Sequence, residues 1–143
     1  MTRPHVTIAR TDEEVDACFP VMSELRPHLR RATFLSTIRD MERQGYTLAF
    51  LSVDERPVTV AGYRITHMLC CERFLYVDDL ATTARERSRG HGATLLAWLV
   101  EQAREHGCTQ LHLDSGIQRE DAHRFYKTQG LAISAFHFRI DVE

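Results

Sequence analysis

The chain is short of the features that mark secreted, membrane-spanning and metal-stapled proteins. Residues 1–5 carry no apolar signal segment, and no apolar run reaches the roughly 20 residues that a membrane-spanning helix needs. The four cysteines include one adjacent pair, Cys70 and Cys71, which lacks the spacing of zinc ligands. We therefore expect a cytoplasmic protein with reduced thiols, no membrane contact and no metal.

An excess of charge of one sign is also lacking. The net charge is -2, from 18 lysines and arginines against 20 aspartates and glutamates, so electrostatics give no reason to expect nucleic-acid binding. The eight histidines form no HExxH pattern. No linker, repeat or low-complexity tract interrupts the 143 residues, which predicts a single domain over residues 1–143 with its own core.

Hydrophobic periodicity predicts strands and helices in the order βααβββαβαβ. Thr11 or Asp12 is expected to cap one continuous first helix, which Pro27 ends. A second helix carries Phe34 and Ile38 on its apolar face. The predicted strands are residues 6–9, 46–53, 58–68, 74–82, 110–113 and 133–142, and the later helices are residues 92–106 and 121–129.

The hexamer Arg87-Ser88-Arg89-Gly90-His91-Gly92 follows a predicted strand and leads into a predicted helix. Glycines let ligand oxygens approach the backbone, and the first N–H groups of a helix lack internal partners. Such a turn is typical of a diphosphate site at a helix start. The hexamer has neither the Gly-Lys-Ser/Thr ending of a Walker loop nor the three-glycine Rossmann spacing. A glycine-rich turn with solvated arginines is the alternative interpretation.

The spacing Arg-x-x-Gly-x-Gly after a strand resembles motif A of the GCN5-related N-acetyltransferase (GNAT) family. A second block, residues 121–131, resembles motif B of that family through Ala122, Phe125, Tyr126 and Gly130. The two matches lie within residues 74–138. The resemblance implies an α/β fold: a central, twisted, mixed sheet of six or seven strands, flanked by about four helices and splayed between its fourth and fifth strands.

The resemblance also implies acetyl-CoA as the acyl donor and no metal cofactor. The family holds the pyrophosphate of acetyl-CoA on backbone amides of the motif A loop, and the strand before that loop admits the pantetheine arm. The residues that we expect to contact acetyl-CoA are Leu80, Ala81, Thr82, Arg87, Ser88, Arg89, Gly90, His91, Gly92, Ala93 and Tyr126.

Asp78 and Asp79 are the candidate bases for an acetyl transfer to an amine, because a carboxylate can attract the ammonium and relay its proton. Alternation along a strand sends adjacent side chains to opposite faces, so we expect one of the two to line the site and favour Asp78. A β-bulge would change the facing and admit Asp79. Both could instead be strand-edge carboxylates paired with arginines.

Tyr126 is the candidate acid, since the resemblance implies that it protonates the coenzyme A thiolate. A phenol with a pKa near about 10 is protonated at neutral pH. The alternative is that Phe125 and Tyr126 are two aromatic residues that pack a short helix.

The acceptor pocket is expected at the loop between the first two helices, with Arg26 and His28, and at His123, one helical turn before Tyr126. Arg119 stands where many family members have asparagine, and the run from Arg119 to Tyr126 resembles aminoalkylphosphonate N-acetyltransferases. We therefore predict direct acetyl transfer to a primary amine of a small molecule, by a possible homodimer. The alternatives are acetylation of a protein or peptide amine and a non-catalytic sensor of acyl-CoA.

Overall fold

The computed structural model describes residues 5–143, and its contacts divide the chain into two compact units, one ending at His112 and one beginning at Leu113. The first unit carries nearly all of the regular structure. Its elements are β1 (His5–Ile8), α1 (Asp12–Ala17), α2 (Phe19–Leu25), α3 (Arg31–Glu42), β2 (Tyr46–Val53), β3 (Arg56–Met68), β4 (Glu72–Thr82), a 3₁₀ turn (Ala84–Glu86) and α4 (His91–Glu105). Strand β5 (Gln110–Leu113) spans the boundary, and α5 (Glu120–Thr128) belongs to the second unit.

The sheet follows chain order, β1-β2-β3-β4-β5, and its first three pairs are antiparallel. Strand β2 is buried along almost its whole length because helices cover both of its faces. On one face, Leu48 and Phe50 lie in a core with Val15, Phe34 and Ile38 of the first three helices. On the other face, Tyr63 of β3 packs edge-on against Trp98 of α4, with the ring centroids 5.9 Å apart. The mixed α/β architecture therefore agrees with the expected fold class.

The first helix is capped as its sequence predicts, but it is not continuous. The Thr11 hydroxyl accepts the Glu14 amide at 3.1 Å, and the Glu14 carboxylate accepts the Thr11 amide at 2.9 Å, which completes a capping box. The prediction of one helix up to Pro27 was wrong, because α1 ends at Ala17 and α2 starts at Phe19. Pro20 explains the break, since it has no N–H to continue the helical ladder and is favoured in a first turn.

A two-residue turn joins β2 to β3. Asp54 and Glu55 both have left-handed backbone conformations, with φ of 51° and 64°, as a tight hairpin turn of the I′ type requires. Strand β3 therefore begins at Arg56, which pairs with Val53, two residues earlier than the predicted start.

A β-bulge in β4 lies between two regular stretches of the β3–β4 ladder. Gly62 pairs with Asp79 and the next residue, Tyr63, pairs with Val77, so Asp78 is an extra residue without a partner in β3. A bulge turns the side chains that follow it relative to those that precede it. This bulge lies at Asp78 and Asp79, the two carboxylates that the sequence predicts as candidate bases.

The predicted strand over residues 133–142 was wrong, and within residues 5–143 the sheet has five strands instead of six or seven. Among the described residues this segment makes no ladder hydrogen bonds, and a strand exists only where a neighbour satisfies its backbone groups. Its alternating apolar side chains are exposed, from 83% at Phe136 to 92% at Phe138. None of the described helices is long and apolar enough to cross a membrane.

Gly62 leaves room for the Tyr46 hydroxyl, and this contact predicts a stability effect. A Cβ at Gly62 would lie 1.8 Å from the Tyr46 hydroxyl oxygen, so Gly62→Ala must displace a ring that is 3% exposed. Overpacking of this kind costs about 1–3 kcal/mol of unfolding free energy, which urea denaturation would measure.

Gly116→Ala is the matched control. Its Cβ would meet only the far end of the flexible Gln118 side chain, which can move away. Equal unfolding free energies for the two variants would contradict the role that we assign to Gly62.

Candidate active site

Asp79 lies on the face of β4 beside the first three helices, and its carboxylate accepts hydrogen bonds from two side chains. The Tyr46 hydroxyl donates to one carboxylate oxygen at 2.8 Å, and Arg26 Nε donates to the other at 3.0 Å. Arg26 follows the last turn of α2 and also donates to the Asp78 carbonyl oxygen at 3.1 Å. Burial and the neighbouring Asp79 charge raise the pKa of Tyr46 well above its usual value, so its hydroxyl remains a donor.

Asp78 forms a separate two-pronged ion pair. Arg64 donates to its two carboxylate oxygens, with Nε 3.0 Å from Oδ1 and a terminal nitrogen 2.7 Å from Oδ2. The Arg64 guanidinium also lies 5.5 Å from the centre of the Tyr46 ring. Burial raises the pKa of Asp78, and the Arg64 guanidinium opposes that rise because it stabilises the carboxylate.

Regular alternation would bring only one of these carboxylates to the Tyr46 ring, but the bulge associates both of them with it. Asp79 contacts Tyr46 directly, and the arginine that binds Asp78 lies against the same ring. The bulge is the reason, because the extra residue breaks the two-residue period of the strand. Both carboxylates are paired with arginines, as the alternative interpretation held, and they form one charged cluster with Tyr46. The choice of base between them stays a prediction.

The loop before α4 presents a row of backbone donors. Ser88 and Gly90 have left-handed backbones, with φ of 64° and 82°, and these conformations turn the chain into α4 at His91. Within the described part of the chain, the amides of residues 88–93 make no hydrogen bond. An open row of N–H groups at a helix N-terminus is suited to an anion.

The two arginines of this loop contact neighbouring residues of the chain and remain exposed to solvent. Arg87 donates from Nε to the Thr82 carbonyl at 3.2 Å, and Arg89 forms an ion pair with Glu86 at 3.1 Å. Both arginine side chains are 62% exposed, so their charge still reaches the loop surface. The His91 ring is only 11% exposed and its Nε2 lies 3.4 Å from Glu86, which places this imidazole at the base of the loop.

The strand that enters the loop is only partly covered. Leu80, Ala81 and Thr82 pair with Ala61, Val60 and Thr59 of β3. The hydroxyls of Thr59 and Thr82 lie 3.0 Å apart. These β4 residues keep part of their surface open beside the amide row that follows them.

Glu24 is a residue that the sequence analysis missed. From α2, its carboxylate accepts the Thr83 hydroxyl at 2.6 Å and the Ala84 amide at 3.0 Å. No local pattern could have revealed it, because Thr83 lies 59 residues further along the chain and a lone glutamate on a helix is ordinary.

The other two predicted acceptor residues, His28 and His123, belong to different units of the chain. His28 is exposed in the turn between α2 and α3. In the second unit, His123 Nε2 lies 2.7 Å from the Gly116 carbonyl oxygen, so this imidazole is bound to a loop. Of the two predicted acceptor residues in the first unit, Arg26 is the one that donates to a candidate carboxylate in the described part of the chain.

Tyr126 lies on α5 in the second unit. Its ring packs edge-on against Phe125, with the centroids 5.4 Å apart, as the packing interpretation expected. Burial raises the pKa of Tyr126, and the charge of Arg119 opposes that rise. The phenol is therefore protonated at neutral pH and available as a donor. Across residues 5–143, no group of three or more histidines, cysteines or carboxylates is arranged to hold a metal ion.

The sequence profile of the acetyltransferase (GNAT) family matches residues 8–131, which is most of the chain. The protein belongs to the GNAT family. It is an N-acetyltransferase, since the family match is supported by a relative with that activity in its name. That relative is YhdJ of Bacillus subtilis (strain 168), described as an uncharacterized N-acetyltransferase, 34% identical over 94% of this chain and 96% of its own length.

Two further proteins resemble parts or all of this acetyltransferase. An aminoalkylphosphonate N-acetyltransferase of Salmonella typhimurium is 39% identical over 62 residues, which are 43% of this chain and 40% of that protein. The aminoglycoside N-acetyltransferase AAC(6')-Iy, solved in complex with CoA, superposes with a TM-score of 0.83 over 99% of this chain and 97% of its own. At 12% identity, this second likeness shows the fold alone.

The Arg64–Asp78 pair predicts a pH dependence of stability. A carboxyl whose pKa is raised in the folded acetyltransferase stabilises the fold at low pH, and that stability is lost as the pH rises through the raised pKa. Arg64→Met removes the cation that opposes the rise, so the loss at neutral pH should grow to about 1–3 kcal/mol. Urea unfolding near neutral pH and near about pH 4, close to the ordinary value for aspartate, would measure it.

The double variant Arg64→Met with Asp78→Asn is the control, because it no longer has the titrating group. Its deficit should be similar at the two pH values. A deficit of the single variant that does not change with pH would contradict the prediction.

Proposed function

We propose that the protein transfers an acetyl group from acetyl-CoA directly to a primary amine of a small molecule. The observation that carries the proposal is the row of amides over residues 88–93 that make no hydrogen bond, which follows a strand that bears two partly buried carboxylates. The amide row suits the diphosphate of the donor, and the carboxylates suit the ammonium of the acceptor.

The loop and the strand before it would together bind acetyl-CoA. The amides of residues 88–93 would bind the diphosphate oxygens, with Arg87 and Arg89 adding positive charge. Leu80, Ala81 and Thr82 would lie along the pantetheine arm and contact it. When bound, acetyl-CoA supplies the thioester, and a backbone N–H near these three residues would stabilise the oxyanion that forms at its carbonyl.

The acceptor amine would be received by the Asp79 and Arg26 pair. The Arg26 side chain is 45% exposed and donates one hydrogen bond to the Asp79 carboxylate. Arg64 is 26% exposed and donates three to the Asp78 carboxylate, so Arg26 is the easier partner to displace. An incoming ammonium could take the place of Arg26 on Asp79. An acceptor that also carries an anion could then bind the released Arg26.

This exchange favours a small amine with an acidic group. An aminoalkylphosphonate has both charges within one small molecule, and the partial likeness to an enzyme of that name supports this class of acceptor. The exchange also keeps the buried carboxylate neutralised at every stage, which avoids leaving an unpaired charge in a poorly hydrated site.

A carboxylate and the Tyr126 phenol would each exchange a proton with the reacting substrates during the transfer. A primary amine with a pKa near about 10.4 arrives protonated and must lose its proton before it attacks. The Asp79 carboxylate, or Asp78 beside it, would take that proton through water. The C–N bond forms, the C–S bond breaks, and the Tyr126 phenol would give its proton to the departing thiolate. The second proton that the nitrogen sheds as it becomes an amide would return to the Tyr126 oxygen through water, and the proton held by the carboxylate would pass to bulk water.

Gly90 predicts a test of the phosphate loop. Alanine in its left-handed conformation costs about 1–2 kcal/mol of stability, and its methyl group would project into the open space in which the diphosphate would approach the amides. We expect Gly90→Ala to weaken coenzyme A binding by at least about tenfold, measured by calorimetry.

Gly107→Ala is the matched control. Gly107 follows the other end of α4, has a similar φ of 75° and, like Gly90, has no atom within 4 Å of an added Cβ. It should lose similar stability and keep its affinity for coenzyme A. Unchanged affinity in Gly90→Ala would overturn the loop assignment.

The proposed reaction is tested by thiol release from acetyl-CoA with a panel of aminophosphonates, amino acids, polyamines and a lysine peptide. We expect amine-dependent release that is strongest with an acidic small amine. Tyr126→Phe should lower kcat by about 10²–10⁴ while keeping coenzyme A affinity, because it loses only the proton donor. Tyr63→Phe, which removes a buried hydroxyl from a ring packed on Trp98, should keep its turnover.

Each other outcome identifies a different function. Release with the lysine peptide alone would favour a protein acetyltransferase. Coenzyme A binding without turnover on any amine would favour a sensor of acyl-CoA. Failure to bind acetyl-CoA would overturn the proposal.

A further inference from the structure

Glu24 connects α2 to the first turn of the phosphate loop, defined here as residues 83–92. Its two carboxylate oxygens accept from two consecutive residues, with Oε2 2.6 Å from the Thr83 hydroxyl and Oε1 3.0 Å from the Ala84 nitrogen. A terminal nitrogen of Arg87 lies 4.0 Å from Oε1. One carboxylate therefore contacts three residues of the loop.

The contacts of Glu24 fall where the loop leaves the sheet. Thr83 is 9% exposed, and its amide donates to the Val58 carbonyl of β3 at 2.8 Å. The Glu86 amide then donates to the Thr83 carbonyl at 2.9 Å, which closes the 3₁₀ turn. From this anchored turn the chain runs through Arg87 to the open amides. The position of Thr83 and Ala84 thus sets where the amide row begins.

We propose that Glu24 is a positioning residue of the phosphate loop, holding residues 83–87 so that the amides of residues 88–93 face the diphosphate. The proposal rests on the proposed function of that loop. Glu24 acts through hydrogen bonds to Thr83 and Ala84 and does not itself touch the diphosphate.

The contact is strongest with a carboxylate. Both donors, an O–H and an N–H, point at acceptor oxygens, and an ionised carboxylate has two of them. Glutamine has the same shape, but its one oxygen can accept only the Ala84 amide, and its NH₂ group would have to donate to a rotated Thr83 hydroxyl. Hydrogen bonds to a charged acceptor are about twice as strong as neutral ones, so Glu24→Gln weakens both contacts.

Calorimetry of coenzyme A binding to Glu24→Gln tests the proposal. We expect the Kd for coenzyme A to rise by about tenfold, as the change of two hydrogen bonds from a charged to a neutral partner predicts. The KM for acetyl-CoA should rise with it, while kcat at saturating acetyl-CoA stays near that of the wild type. A helix tether with no part in binding would lower the melting temperature without this split. Glu13→Gln, an exposed glutamate of α1, makes the same charge change and should leave the Kd unchanged.

Substitutions at Thr83 test the same contact from its other partner. Thr83→Val removes the hydroxyl that Glu24 accepts and should raise the Kd, whereas Thr83→Ser keeps the hydroxyl and should restore wild-type affinity. The effects of Glu24→Gln and Thr83→Val should be non-additive, since both break one contact. If Glu24→Gln does not fold, the comparison of valine with serine decides the question.

The failures of the two proposals are distinguishable. A wild-type protein that binds no coenzyme A overturns the proposed function itself. A wild type that binds, with unchanged Kd in Glu24→Gln or in Thr83→Val, overturns only the role of Glu24.

Discussion

The extra residue in β4 is the constraint on which the candidate site depends. Without the bulge at Asp78, alternation would place Asp78 and Asp79 on opposite faces, and one would enter the core that α4 covers. With it, both carboxylates join Tyr46 and two arginines in one cluster under the first three helices. Burying two adjacent acids is unfavourable unless cations and donors neutralise them, so the cluster forms as a whole.

The same cluster ties the helices to the sheet. Arg26, just beyond α2, reaches both the side chain of Asp79 and the backbone of Asp78, and Glu24 of the same helix reaches the start of the phosphate loop. The proposed acceptor and donor sites therefore share one short helix. Displacement of Arg26 by an amine would act on the element that supports the loop.

The two arginines of the cluster are not equivalent. Arg64 donates three hydrogen bonds to the Asp78 carboxylate, whereas Arg26 donates one to the Asp79 carboxylate and is half-exposed at the end of a helix. A rigid pair and a displaceable pair side by side suit a site that must bind a cation without leaving a buried charge unpaired. The choice of a zwitterionic acceptor in the proposed function follows from this difference.

Local chemistry in the sequence was enough to predict much of the molecule. The Thr11 capping box, the amphipathic helices, strands β2 and β5 and the glycine-punctuated loop depend on neighbours a few residues apart, so their patterns are legible in the chain. Tertiary structure decided the rest. The bulge at Asp78, the contact of Glu24 with Thr83 and the unpaired segment over residues 133–142 depend on partners distant in sequence or on a missing strand partner. Periodicity reports which face a residue prefers, but only the packed chain determines which distant group it meets there.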